Sequence, residues 1–138
     1  MKLEKNYMKK VKIVIERSND LFSAYAVNVN GVYGAGNTVS EAKDSIVKSI
    51  ELLNKYNKDN VPSILKGEYI LVFRFDVESF LNYYKGIFTN AALERITGIN
   101  QKQFQHYATG LKKPRETQVK RIESALHKLG GELMAVQL

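Results

Sequence analysis

The chain has 138 residues, of which 44% are hydrophobic and 25% charged, a composition typical of a folded globular protein rather than a disordered one. It contains no cysteine, which excludes disulfides and thiolate metal sites, and it has no apolar run near the roughly 18 residues of a membrane span. The start is lysine-rich with no apolar segment after it, so we expect no secretory signal peptide, no membrane partner and a cytoplasmic location.

The formal net charge of +7 favours an anionic partner such as nucleic acid, and this charge is unevenly distributed. Residues 13–75 carry no net charge. The positive net charge of the first half comes from Lys2, Lys5, Lys9, Lys10 and Lys12. We interpret these lysines as a solvated arm, with DNA tracking as the weaker alternative, and Met8 as a second candidate for the translation start. Residues 98–121 carry six basic side chains against one acidic side chain, which makes a local basic patch.

Three strands are predicted near the start of the chain. Apolar residues alternate with more polar ones in residues 11–16, as expected for a strand with one buried face. Residues 22–29 form a second predicted strand. Asn30-Gly31 is a favoured hairpin turn and leads into a third strand at residues 32–36.

A helix and a fourth strand are predicted next. Thr38-Val39-Ser40-Glu41 has the pattern of a helix capping box, and a helical stripe of apolar residues follows it. Residues 69–75 are rich in aromatic and branched side chains, which favours a strand. The predicted order βββαβ makes the first half a sheet with one covering helix.

The βββαβ order, together with Gly31, Gly36-Asn37-Thr38 and Glu41-Ala42, resembles the N-terminal domain of HicB-type antitoxins. The resemblance implies a truncated ribonuclease-H-like fold for residues 8–75. Val27-Asn28 stands where that family often has Pro-Asp, so we expect a different contact surface there.

No catalytic residue, metal site or cofactor is predicted, because metal-dependent ribonuclease chemistry needs converging carboxylates and the inward strand positions are apolar. His106 and His127 are too far apart in their predicted positions to share a zinc ion, and neither has a cysteine or carboxylate beside it as a further ligand. Tyr25, Tyr33 and Phe73 could stack on RNA bases, but core packing is the preferred interpretation. We interpret four acidic residues of the first half as surface or capping charges: Glu16, Asp20, Glu41 and Asp44.

Residues 97–115 have the pattern of a short helix between a glycine turn and a basic loop. Gly98 can adopt the left-handed conformation that turns one helix into the next, and Asn100 suits the N-cap of the second helix. At 3.6 residues per turn, Phe104 and Tyr107 share a face that we expect to be buried. The opposite face is assigned to DNA base reading, through Gln101, Lys102, Gln105 and His106.

Contacts with the DNA phosphates are assigned to residues in or near the same stretch. These residues are Asn90, Asn100, Lys112, Lys113 and Arg115. The alternative is a solvated polar helix face that has no partner. The local basic patch favours the DNA interpretation over this alternative.

Residues 76–129 resemble a helix-turn-helix domain of the Cro/Xre phage-repressor type. Its Gly-Lys-Lys-x-Pro-like ending is matched by Gly110, Lys112, Lys113 and Pro114. Asp76, and either Thr89 or Asn90, are predicted caps of the first two helices. Gly130-Gly131 is predicted to end the fourth helix.

Glu94 and the C-terminal tail are two further features of the second half of the chain. Glu94 stands where the Cro/Xre family usually has alanine, so either Glu94 lies at the domain edge or the helix crossing is altered, which leaves the base-reading register open. The tail, residues 132–138, is apolar, and we expect it to dock on the chain's own core or, through an added strand or an apolar contact, on a partner subunit. With this tail the second domain spans residues 76–138.

The fold class predicted for the whole chain is therefore α+β, a βββαβ domain followed by an all-α helix-turn-helix domain. This combination resembles the antitoxin of a HicA/HicB toxin–antitoxin pair. The resemblance implies two partners, a HicA-like toxin that cleaves messenger RNA and the operator DNA of the pair, and a homodimer or higher oligomer. The alternatives are a solitary transcriptional regulator without a toxin and, from a different class, an RNA-processing enzyme.

Overall fold

The structure is a computed structural model that describes residues 8–138, so Lys2 and Lys5 of the predicted arm lie outside the described residues. Lys9, Lys10 and Lys12 belong to the first strand, Lys9–Arg17, so the interpretation as an arm was wrong for these three lysines. The chain is mixed α+β, which confirms this part of the predicted fold class. It divides into two compact units, here called the sheet unit, which ends at Ser79, and the helical unit, Phe80–Leu138. The assignment of residues 8–75 and 76–138 to two domain families stays a prediction.

The sheet unit contains four strands and one long helix in the predicted order. These elements are β1 (Lys9–Arg17), β2 (Phe22–Ala26), β3 (Tyr33–Gly36), α1 (Val39–Tyr56) and β4 (Tyr69–Phe75). The strand order across the sheet is β3-β2-β1-β4. β1 pairs with β2 antiparallel and with β4 parallel, so the connection through α1 brings β4 to the far edge.

The second strand is shorter than predicted, because a side chain replaces its last backbone pairs. β2 ends at Ala26 rather than at Val29. The Asn28 side chain accepts a hydrogen bond from the Lys12 backbone N–H at 2.9 Å and donates one to the Lys10 carbonyl at 2.8 Å. The Asn28 amide thus satisfies two β1 backbone groups that would otherwise pair with a continuing strand.

The core of the sheet unit lies between one sheet face and α1. Val11, Ile13 and Ile15 of β1 are completely buried, as are Ala42 and Ile46 of α1. The helix starts as predicted, and the hydroxyl of its N-cap, Thr38, accepts a hydrogen bond from the Glu41 N–H.

α1 lies close to the backbone of β3. A Cβ atom added to Gly34 would lie 2.5 Å from the Ile46 nitrogen, so glycine is needed there for the helix to pack.

The opposite face of the sheet, here called the open face, is formed by the alternate strand residues. Among them, Tyr33 is 68% exposed, so core packing was the wrong interpretation for this residue. Its partner Tyr25 is half-buried. Phe73 lies on the α1 side, in register with Ile13, where the Lys43 ammonium is 4.5 Å from its ring centroid. The open face is therefore partly aromatic and solvent-accessible.

The helical unit contains the helices that follow the sheet, and the unit boundary falls within the first of them. They are α2 (Val77–Tyr84), α3 (Asn90–Thr97), α4 (Gln101–Thr109) and α5 (Glu116–Met134). The predicted caps are confirmed for α2 and α3: Asp76 accepts from the Ser79 N–H at 2.8 Å, and Thr89 accepts from the Ala92 N–H at 3.0 Å. The buried apolar residues of the unit are Leu81, Leu93, Ile99, Phe104, Tyr107 and Ile122.

The last helix does not end where the sequence predicted. α5 passes through Gly130-Gly131 and reaches Met134. A glycine permits the left-handed conformation that ends a helix but does not impose it, and neither of these two glycines has a positive φ. The prediction of a stop at this pair was therefore wrong.

The C-terminal tail is exposed rather than docked on the chain's own core. Leu133 is 61% exposed, Met134 88% and Val136 57%. Docking on the core was thus a wrong expectation, and residues 132–134 belong to a helix rather than to an added strand. A contact of this tail with a partner subunit stays a prediction.

Candidate nucleic-acid interface

The turn between α3 and α4 is formed at the residues predicted for it. Gly98 has a φ of +76°, the left-handed conformation, and its N–H donates to the Glu94 carbonyl at 2.7 Å. Asn100 caps α4 by accepting from the Lys102 N–H at 2.8 Å. Ile99, between these two residues, is 3% exposed and anchors the turn in the core. The sequence therefore predicted this turn from the correct residues.

The two faces of α4 are separated as predicted. Phe104 is completely buried and Tyr107 is 5% exposed, and their rings meet edge to face with centroids 6.2 Å apart. Because this aromatic face holds α4 against the unit, the opposite face is directed to solvent. Gln101, Lys102 and Gln105 are exposed there.

Five of the predicted site residues line one open recess of about 400 Å³. They are Asn90, Asn100, Gln101, Lys102 and Gln105. His106 does not line it, since five helical positions place it roughly 140° around the axis from Gln101. It is half-buried, and its Nδ1 is buried without a hydrogen-bond partner among the described residues. His106 thus lies apart from the other predicted base-reading residues.

Both glutamines of the recess are bonded to side chains of α3. The Gln101 amide nitrogen donates to the Glu94 carboxylate at 3.2 Å, and the Asn90 amide nitrogen donates to the Gln105 side-chain oxygen at 3.1 Å. Gln101 retains its carbonyl oxygen as an acceptor, and Gln105 retains its N–H donors. The recess therefore presents one oriented acceptor next to one oriented donor group.

Glu94 was recognised in the sequence as a departure from the resembled family, but its bond with Gln101 was missed. Glu94 is half-buried, and its carboxylate accepts a hydrogen bond from the Gln101 side chain, seven residues later on α4. The seven-residue separation of Glu94 and Gln101 across a tight turn is the sequence feature that could have indicated this hydrogen bond. Glu94 also adds a negative charge beside a surface that would face phosphates, so it should lower non-specific affinity.

The variants Glu94→Ala and Glu94→Gln separate the effect of the negative charge of Glu94 from the effect of its hydrogen bond with Gln101. Both remove the charge, so both should bind duplex DNA more tightly at low salt. Glu94→Ala also releases the Gln101 amide and should lose about 1 kcal/mol of base discrimination, whereas Glu94→Gln keeps an acceptor and should retain it. Titration of a preferred duplex and of one-base-pair variants measures both quantities. Equal discrimination in the two variants would show that Glu94 does not orient Gln101.

The basic loop after α4 is tied to the end of that helix. The Lys112 N–H donates to the His106 carbonyl at 3.2 Å, and Lys112, Lys113 and Arg115 are all exposed. Within residues 8–138 no carboxylate forms a salt bridge with any of these three side chains. Their charge is therefore available to an external anion.

Two other members of the predicted basic patch have structural roles. Lys120 forms an exposed salt bridge with Glu116 at 3.3 Å. The Arg121 guanidinium donates to the Thr97 carbonyl at 3.0 Å, which joins α5 to the end of α3. Counting charges along the sequence could not reveal this, because it depends on which helices pack together.

The chain was also compared with known proteins. It matches no protein-family model, no curated protein and no solved structure. Across residues 8–138, no three histidine, aspartate or glutamate side chains are grouped so that they could hold a metal ion. No helix in this part of the chain has the length and hydropathy needed to cross a membrane.

Proposed function

We propose that the helical unit binds duplex DNA sequence-specifically, with α4 in the major groove. The observation that carries this proposal is the recess in which Gln101 and Gln105 are held by α3 side chains and exposed to solvent. Glutamine and lysine side chains on an exposed helix face can read base edges in that groove. A solvated helix face without a partner would not require two glutamines oriented by neighbouring side chains.

The residues of this surface have different proposed roles. Gln101, Lys102 and Gln105 read base edges, and His106 is left out of this set because it is half-buried away from the recess. Asn90 acts through Gln105, to which it is bonded.

Phosphates are bound beside this base-reading surface. The groups proposed to bind them are the exposed side chains of Lys112, Lys113 and Arg115 and the Asn100 amide at the N-terminus of α4.

Two copies of the chain are proposed to bind together. Useful specificity needs two half-sites about 34 Å apart, which a homodimer or a higher homo-oligomer reads simultaneously. The exposed apolar end of the chain, with Leu133, Met134 and Val136, is a surface on which a second copy can bury apolar area.

The resemblance to HicB-type proteins extends this proposal to an autorepressing antitoxin. The sheet unit would then cover a HicA-like toxin and the helical unit would bind the operator, with no chemistry performed by this chain. The second candidate is a solitary regulator, which is favoured by the exposed Lys10, Lys12 and Arg74 on the open face, because they would repel a basic RNA-binding toxin. Co-purification with the product of the adjacent reading frame distinguishes the two candidates.

A pair of variants tests the DNA proposal. Gln105→Ala should cost about 1–3 kcal/mol for the preferred duplex and relax the preference at one base pair. Lys113→Ala should weaken binding to all duplexes and reduce the salt slope by about one unit. Binding titrations at several salt concentrations, with a duplex selected from random pools, measure both effects. Absence of any sequence preference in the selected pool would contradict the proposal.

A further inference from the structure

The strand register aligns four open-face residues in one row across the sheet. Tyr33 pairs with Tyr25, Tyr25 with Val14, and Val14 with Arg74. Cross-strand partners have Cβ atoms about 4.5–5.5 Å apart, so the two tyrosines are direct neighbours. Tyr33 is 68% exposed and Tyr25 is half-buried, so this ring pair is accessible to a ligand.

Positive charge is concentrated on the same face. Lys12 pairs with Val72 in the row beside the tyrosines, and Lys10 pairs with Ile70 one row further. Lys10, Lys12 and Arg74 are exposed. Glu16 is the one acidic residue among the described strand residues that share the open face. Lys10 and Lys12 belong to the lysine-rich start of the sequence, and the parallel pairing of β1 with β4 places Arg74 on the same face.

The tyrosine pair and the cations of the open face together favour one class of ligand. A second copy of the chain would bring the same cations against each other, which is unfavourable. Adjacent phenol rings flanked by lysine and arginine fit single-stranded nucleic acid, whose bases stack on the rings while its phosphates meet the cations. A duplex does not fit, because its base faces are already stacked inside.

We propose that the open face of the sheet unit is a binding site for single-stranded nucleic acid, with Tyr25 and Tyr33 as the stacking platform. Lys10, Lys12 and Arg74 bind its phosphates, and the half-exposed Ile70 and Val72 contact sugars and base edges. The site uses none of the residues proposed to bind duplex DNA.

Fluorescence anisotropy of the full chain with labelled oligouridine and oligothymidine, each of roughly 12 nucleotides, tests the site. Tyr33→Ala should weaken binding about tenfold, because stacking on an aromatic ring contributes about 1–3 kcal/mol per base. Tyr33→Phe should keep the affinity, since the ring remains. A preference for one of the two oligonucleotides identifies RNA or DNA as the ligand, and either result supports the site.

Tyr56→Ala is the matched control, because Tyr56 is 69% exposed but lies at the end of α1. It should leave the affinity for both oligonucleotides unchanged. Equal effects of Tyr33→Ala and Tyr56→Ala would overturn the proposal. It would also be overturned if a polyglutamate peptide bound as tightly as the oligonucleotides and with no dependence on Tyr33, because the face would then recognise charge alone.

Discussion

Phe104→Ala is expected to lower the free energy of unfolding of the helical unit by about 3–5 kcal/mol. Phe104 is completely buried and holds α4 against the unit by the face opposite the proposed base-reading residues. Such a loss is comparable to the whole stability of a small domain. Specific DNA binding should therefore disappear together with the cooperative unfolding transition. Chemical denaturation followed by circular dichroism measures the stability.

The control for this variant is Gln105→Ala on the exposed face of the same helix. It should change stability by no more than about 0.5 kcal/mol while still weakening specific DNA binding. The pair thus separates a residue that supports the site from one that forms it. A Phe104→Ala protein with unchanged unfolding would mean that α4 is not held by its aromatic face.

Gly34→Ala is expected to destabilise the sheet unit by about 1–3 kcal/mol or more. The added methyl group would lie 2.5 Å from the nitrogen and 2.9 Å from the Cα of Ile46, and these are backbone atoms that cannot rotate away. α1 would have to move off β3, which would open the core around Ile46. Denaturant unfolding measures the loss, with hydrogen exchange of α1 amides as a local readout.

Ala35→Ser provides the comparison, because Ala35 is the next residue of β3 and is exposed on the open face. Its effect on stability should be within about 0.5 kcal/mol. If Gly34→Ala were equally mild, the close approach of helix and strand would not contribute to the packing of the unit.

Local signals in the sequence predicted most of the secondary structure. The Thr38 cap, the Gly98 turn and the Asn100 cap are all found at the predicted residues. Each of these depends on groups within four residues of one another, so the sequence contains nearly all of the relevant chemistry. The burial of Phe104 and Tyr107 followed in the same way from helical periodicity.

Predictions failed where the deciding interaction came from elsewhere in the chain or where a local rule only permits an outcome. Gly130 and Gly131 allow a helix to end, yet α5 continues through them. The early end of β2 depends on Asn28 bonding to backbone groups of β1.

The amino-acid sequence by itself determined the α+β class, the position of the turn at Gly98 and the outward face of α4, because these depend on short-range conformational preferences. Only the tertiary structure decided which charged and aromatic side chains lie next to one another. Arg121 donates a hydrogen bond to the Thr97 carbonyl at the end of α3, and Gln101 donates one to Glu94. The strand register places Tyr33 and Arg74 in one row of the sheet. These pairings join residues separated by at least seven positions, and only the packing of helices and the register of strands specify such distances.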